Sequence, residues 1–225
     1  MLILLDTANI EDIKKGIEYY PIAGVTTNPT IVSKEKTDFL KLVKDIKNVI
    51  GDNRCLHVQA LGMKAEDIVE EALYLNKILG ENIYIKIPVI PEGIKAMKIL
   101  HEKGIKITAT AVITPQQGLI AAMSGASFIA PYVNRIDNIS GNGINVVKEI
   151  SQLLKIHGLN SKILAASFKN VEQVHKASLA GAQSVTIPLN ILENLLYHPL
   201  TDSSVDNFIK DWENVYGEGK RTNNL

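Results

Sequence analysis

The sequence predicts an α/β protein, a closed (β/α)₈ TIM barrel with an additional C-terminal helix. Eight short runs rich in Ile, Val, Leu and Ala recur along the chain, with segments of helical periodicity between them. No Pro-, Gly- or Ser-rich linker divides the 225 residues. Alternating strands and helices imply parallel pairing, because each parallel connection needs a crossover, and eight such units suit a closed barrel better than a doubly wound open sheet.

The elements follow in order. "LILLD" forms the first strand and "NIEDIKKGIEYY" the first helix, followed by strands at "IAGVTTN" and "CLHVQAL". The clearest helix is "KAEDIVEEALYLNKILG": Ile68, Ala72, Leu75 and Leu79 share a face, acids crowd its first turn, and Gly80 supplies a stop. Strand "IYIKIPV" leads to helix "PEGIKAMKILHEKG", and strand "KITATAV" to helix "PQQGLIAAMSG". Strand "SFIAPYV", helix "INVVKEISQLLKIHG", strand "KILAASF", helix "NVEQVHKASLAG" and strand "SVTIPL" complete the barrel. The expectation is a single domain over residues 1–225, with an extra helix at about 203–217, capped by Ser203 or Ser204, and a polar tail at 218–225. Val205, Phe208, Ile209 and Trp212 give that helix an apolar face, which must cover either its own barrel or another subunit. A homo-oligomer is the expectation.

Composition excludes several classes of function. Lys plus Arg and Asp plus Glu number 24 each, for a formal net charge of +0, so neither nucleic acid nor an anionic membrane is an expected partner. "MLILLDTANI" has no basic segment before its short apolar run and reads as neither signal peptide nor anchor, so a cytoplasmic protein is expected. Cys55 is the single cysteine and reads as a buried strand thiol. His57, His101, His157, His175 and His198 are scattered without ligand spacing, so no metal site is expected. His57 reads as a hydrogen-bonded core histidine.

The chemistry begins at Lys86. In "IYIKIPV" the side chains alternate, so Ile83, Ile85, Ile87 and Val89 face one way, and Tyr84, Lys86 and Pro88 the other. A barrel strand is covered outside by helices, which assigns the isoleucines to the helices and Lys86 to the interior. A buried unpaired ammonium is costly; it either pairs with a buried carboxylate or loses its proton and becomes a nucleophilic amine. Other polar residues close neighbouring strands: Asp6, then Thr26, Thr27 and Asn28, then Gln59, Thr110, Tyr132 and Ser167. All lie near carboxyl ends, where such barrels build active sites. Taken singly, Asp6 could cap the helix beginning near Asn9, Asn28 could be a turn residue, and Arg135 could pair with Asp137. Arg135, with Ser167 and Lys169 at the start of a helix, otherwise points to a phosphorylated substrate. A phospho-receiver domain also joins a strand-one aspartate to a lysine, but its sheet has five strands against the eight here.

The motifs "DTAN", "GVTTNPT", "IKIP", "APYVNRID" and "LAASFKN", in this order, resemble the small transaldolase family, which includes the fructose-6-phosphate aldolases. The resemblance covers nearly the whole chain. It implies a (β/α)₈ barrel that needs no cofactor and holds a ketose as a Schiff base on Lys86. By matched position, Asp6 would accept or hold the proton of the hydroxyl beside the bond that breaks. Thr27, Asn28 and Ser167 would bind the dihydroxyacetone part. Thr110 and Gln59 would hold a proton-carrying water, and Arg135 would grip the phosphate of the other fragment. Typical transaldolases resemble one another in a glutamate at the position of Gln59 and a phenylalanine at that of Tyr132. This chain has the pair of the fructose-6-phosphate aldolases. The resemblance therefore implies reversible cleavage of fructose 6-phosphate to dihydroxyacetone and glyceraldehyde 3-phosphate, with transaldolase transfer of the same unit between sugar phosphates in the pentose phosphate pathway as the alternative. It also implies rings of five subunits stacking into ten.

Overall fold

The computed structural model describes all 225 residues. Eight parallel strands close into a barrel in sequence order: β1 (Leu2–Asp6), β2 (Ile22–Thr26), β3 (Cys55–Gln59), β4 (Ile83–Pro88), β5 (Ile107–Val112), β6 (Phe128–Pro131), β7 (Lys162–Ala165) and β8 (Ser184–Ile187), with β8 pairing back onto β1. The predicted (β/α)₈ fold is present. Helices alternate with the strands: α1 (Ile10–Tyr19), α2 (Pro29–Lys34), α3 (Phe39–Ile50), α4 (Ala65–Leu79), α5 (Pro91–Glu102), α6 (Pro115–Met123), α7 (Val133–Asp137), α8 (Gly143–Ile156), α9 (Val171–Leu179), α10 (Leu189–Leu196) and α11 (Pro199–Tyr216).

Period-two alternation sorts β4 as expected. Ile83, Ile85 and Ile87 are essentially inaccessible, and α4 and α5 pack on that strand. α4 buries Ile68, Ala72, Leu75 and Leu79, and Gly80 ends it at φ 73°, a backbone conformation that costs glycine little. α5 starts close against β4, where a Cβ on Gly93 would collide with the Pro88 carbonyl. That close approach anchors the carboxyl end of the lysine-bearing strand. Below the site, Leu4, Phe128 and Leu164 fill the barrel interior, with Cys55 and Tyr84 packed against them.

Several elements differ from expectation. The β2–β3 crossover holds two helices, α2 and α3, absent from the sequence reading; Asn28 and Asp38 cap them, and α3 buries Leu42, Val43, Ile46 and Ile50. α7 and α10 are likewise additional. The last helix starts at Pro199 rather than near 203, because the His198 side chain accepts from the Leu200 amide and the proline occupies the first turn. Ser203 and Ser204 are not its caps: their hydroxyls donate back to the Leu200 carbonyl, inside the helix.

The chain divides into two compact units, Met1–Ile191 and Leu192–Leu225. The first contains the barrel. In the second, Val205, Phe208 and Ile209 are exposed along α11, and Trp212 packs on Tyr216 with ring centroids 4.3 Å apart. No helix is long and apolar enough to cross a membrane.

Candidate active site

A cavity of about 540 Å³ opens at the carboxyl ends of the strands, in the barrel unit. Lys86 lies in it at only 6% exposure, and its ammonium donates to the Thr27 carbonyl at 2.6 Å. Burial lowers the pKa of Lys86, and the charge of Asp6 opposes that shift only partly. Asp6 is shifted the opposite way: burial raises it, against the attraction of Lys86 and a hydrogen bond from the Thr26 hydroxyl at 2.7 Å. Both shifts favour the neutral forms. A neutral amine beside a carboxylic acid is equipped to attack a carbonyl and supply the proton that the departing water needs.

Asp6 is not a helix cap. Asn9 takes that role at α1, accepting from the amides of Glu11 and Asp12. Asp6 is thereby left to the cavity, in a chain that runs on through Thr26 to the Thr186 hydroxyl at 2.6 Å.

On the opposite wall the Thr110 hydroxyl and the Tyr132 phenol lie 2.8 Å apart. A local departure from regular strand geometry aims Thr110. The β5–β6 register shifts between Ala109 and Val112, and Ala111 sits at φ 58°, a conformation unfavourable for a residue with a Cβ. Ser167 is held similarly at φ 62°, with its carbonyl accepting from the Asn134 amide. Strain at the ends of two strands, β5 and β7, both in the cavity wall, marks this rim as shaped for something other than stability.

Gln59 and Asn28 complete the wall nearest Lys86. The Asn28 oxygen accepts from the Ile31 amide as the α2 cap, which turns its NH₂ group outward as a donor. Thr27 is placed differently from the other sequence-identified residues. Its hydroxyl donates to the His57 carbonyl and its side chain is not in the cavity wall; its contribution is the backbone carbonyl beneath the Lys86 ammonium. Thr26, its neighbour, faces Asp6 instead.

At the cavity mouth stand Arg135, Lys169 and Lys34. The Arg135 guanidinium lies over the Tyr132 ring, 4.8 Å from its centroid. Asp137 is occupied elsewhere, accepting from the Gly143 amide and the Gln173 side chain at 2.8 Å each, which leaves Arg135 to the cavity. Before α9 the Lys169 amide donates to the Gln173 side chain, and the Asn170 side chain caps the helix by accepting from the Gln173 amide. Arg135, Lys169 and Lys34 bring side-chain positive charge to this mouth.

Sequence reasoning placed Thr26 at the rim without a role and missed Thr108, Thr186 and Lys34, all of which line the cavity. Strand parity carried a signal for two of the three, since Thr108 shares a face with Thr110, and Thr186 with Ser184. Lys34 had none, because it comes from the end of α2, whose position depends on the crossover.

The chain matches the family model described as Transaldolase/Fructose-6-phosphate aldolase over residues 3–222. It is 41% identical over 215 residues to a protein named "Probable transaldolase" from Hydrogenobaculum sp. (strain Y04AAS1), covering 96% of this chain and 98% of that one. The chain belongs to the transaldolase/fructose-6-phosphate aldolase family.

Proposed function

We propose that the protein is a Schiff-base aldolase that reversibly cleaves fructose 6-phosphate to dihydroxyacetone and glyceraldehyde 3-phosphate. The observation that carries this reading is the 2.8 Å contact of Tyr132 with Thr110, in the same cavity as Gln59 and a buried Lys86.

The neutral Lys86 amine attacks the ketose carbonyl, and Asp6 gives its proton to the departing hydroxyl, which leaves as water and gives a cationic iminium. That fixed positive charge lowers the pKa of Asp6 and keeps it as the carboxylate. Asp6 then takes the proton of the hydroxyl beside the scissile bond, the carbon–carbon bond breaks, and its electron pair passes into the iminium to give an enamine. Glyceraldehyde 3-phosphate departs from the side of Arg135, Lys169 and Lys34. Asn28 and Ser167 hold the hydroxyls of the retained unit, and Thr26 orients Asp6.

The enamine then has two fates. Protonation on carbon followed by hydrolysis releases dihydroxyacetone; attack on an acceptor aldehyde is transaldolase chemistry. Gln59 cannot exchange a proton, whereas the phenol of Tyr132 can deliver one, directly or through a water held by Gln59 and Thr110. This favours release. The relative's name supports the second reading, transfer of the unit between sugar phosphates. Incubating fructose 6-phosphate with and without erythrose 4-phosphate separates the two. Dihydroxyacetone formed without acceptor is expected; transfer product alone would sink the aldolase reading.

A further inference from the structure

Two hydroxyls from strands that do not pair with each other meet beside Asp6. β2 and β8 flank β1 on its two sides, with Thr26 in register with Asp6 and Thr186 in register with Leu4. The Thr26 and Thr186 oxygens nevertheless lie 2.6 Å apart, at 1% and 4% exposure, and the Thr26 hydroxyl donates to Asp6 Oδ1 at 2.7 Å. Valine has the shape of threonine, so packing does not account for the pair of hydroxyls.

A hydroxyl has one proton to give. Thr26 commits its own to Asp6, so the proton in the 2.6 Å contact comes from Thr186. Run the other way, from a protonated Oδ1 through Thr26, the Thr186 proton would meet no protein acceptor, a costly end for a side chain this buried. The order is therefore Thr186 to Thr26 to Asp6. An oxygen that accepts a hydrogen bond donates a stronger one, and a carboxylate accepts better than a carboxylic acid, so the chain favours the ionised form of Asp6. β2 and β8 carry no ionisable side chain, and α1 packs through Gly16 on Leu5, the opposite face of β1. The charge that acts on Asp6 is that of Lys86 on β4; Tyr132, Arg135, Lys169 and Lys34 share the cavity.

We infer that Thr186 is a positioning residue for the cleavage step: it locks Thr26 as a donor to Asp6 and so holds that carboxyl as the base that takes the substrate's proton. It acts through Thr26 alone. Its effect falls on one step, because Schiff-base formation uses Asp6 as an acid, which loss of a donor leaves available, whereas cleavage uses the carboxylate. The inference rests on the Schiff-base reading above.

The pH dependence of kcat for fructose 6-phosphate cleavage by the full-length protein tests it, beside borohydride trapping with dihydroxyacetone. Thr186→Val should move the acid limb of kcat upward by about one pH unit, the effect of one hydrogen bond, and leave KM little changed. Thr186→Ser keeps the hydroxyl and should restore the wild-type limb, and Thr26→Val/Thr186→Val should move it no further than Thr26→Val alone. The Thr186→Val protein should still form the adduct at neutral pH. A purely structural role would lower kcat at every pH without moving the limb, and that result overturns the inference while Schiff-base chemistry stands. Thr186→Ala, which removes the hydroxyl and puts nothing in its place, decides the same way if valine prevents folding. Absence of any wild-type adduct overturns both.

Discussion

The Thr110 hydroxyl and the Tyr132 phenol are hydrogen-bonded at 2.8 Å across the ends of β5 and β6. On the proposed mechanism, Thr110 holds the phenol where it would protonate a bound enamine and so favour release over transfer. Tyr132→Phe keeps the ring under Arg135 and removes only the hydroxyl. Release of dihydroxyacetone is expected to fall about 100-fold, within the usual range for loss of a general acid, and transfer to erythrose 4-phosphate much less. Parallel assays of the two products measure this. Equal losses would show that the phenol does not control the partition.

Lys86 imposes a stability cost that its chemistry requires. Burial depresses its pKa below the usual 10.5, so between the folded-state value and 10.5 the unfolded chain binds more protons than the folded one. Stability therefore rises with pH through that window, and the penalty is complete below it. Lys86→Met fills similar volume without the amine. It should form no ketose adduct, gain about 1–3 kcal/mol of stability at neutral pH, and lose the alkaline rise contributed by this group. Urea denaturation at neutral and alkaline pH measures both effects. A less stable variant would mean that the ammonium's bond to the Thr27 carbonyl outweighs its desolvation.

Asp6 titrates in the other direction. Its folded-state pKa is raised above 3.8, so it keeps its proton to higher pH than an exposed aspartate. The iminium lowers that value, so where the carboxylate form carries the cleavage step, kcat rises with pH through the lowered value of the bound state. Asp6→Asn should lower kcat by about 10²–10⁴-fold. It should also abolish the acid limb of the kcat profile that belongs to this group. A variant that retains that limb would assign it to another residue.

Arg135 has no competing carboxylate in Asp137, whose oxygens are committed to Gly143 and Gln173. Arg135→Ala is expected to raise KM for glyceraldehyde 3-phosphate by about 10–100-fold, the range for losing a hydrogen bond to a charged group. KM for unphosphorylated glyceraldehyde should change little. A similar rise for both aldehydes would show a packing role through the Tyr132 ring rather than phosphate recognition.

Much of the fold was legible because strand and helix periods are written locally. Isoleucines at alternate positions of β4 and the spaced apolar face of α4 require no knowledge of distant contacts. Two of the four helices missed, α2 and α3, lie together within one crossover, where eight expected repeats left no reason to look for two. The start of α11 was misplaced for a simpler reason: two serines resemble an N-cap, whereas a histidine followed by proline supplied it.

Of the site, the sequence by itself determined that Lys86 points inward and that polar residues cluster at the carboxyl ends, since both follow from side-chain alternation in a covered barrel strand. Tertiary structure decided which partner each group takes. Thr26 rather than Thr27 meets Asp6, Asn9 frees Asp6 from capping, and Gly143 with Gln173 frees Arg135. A hydrogen bond depends on distance and direction between residues far apart in the chain, and closure of the barrel brings them together. The His57–Thr108 contact spans 51 positions and exists only once β3, β4 and β5 are in register.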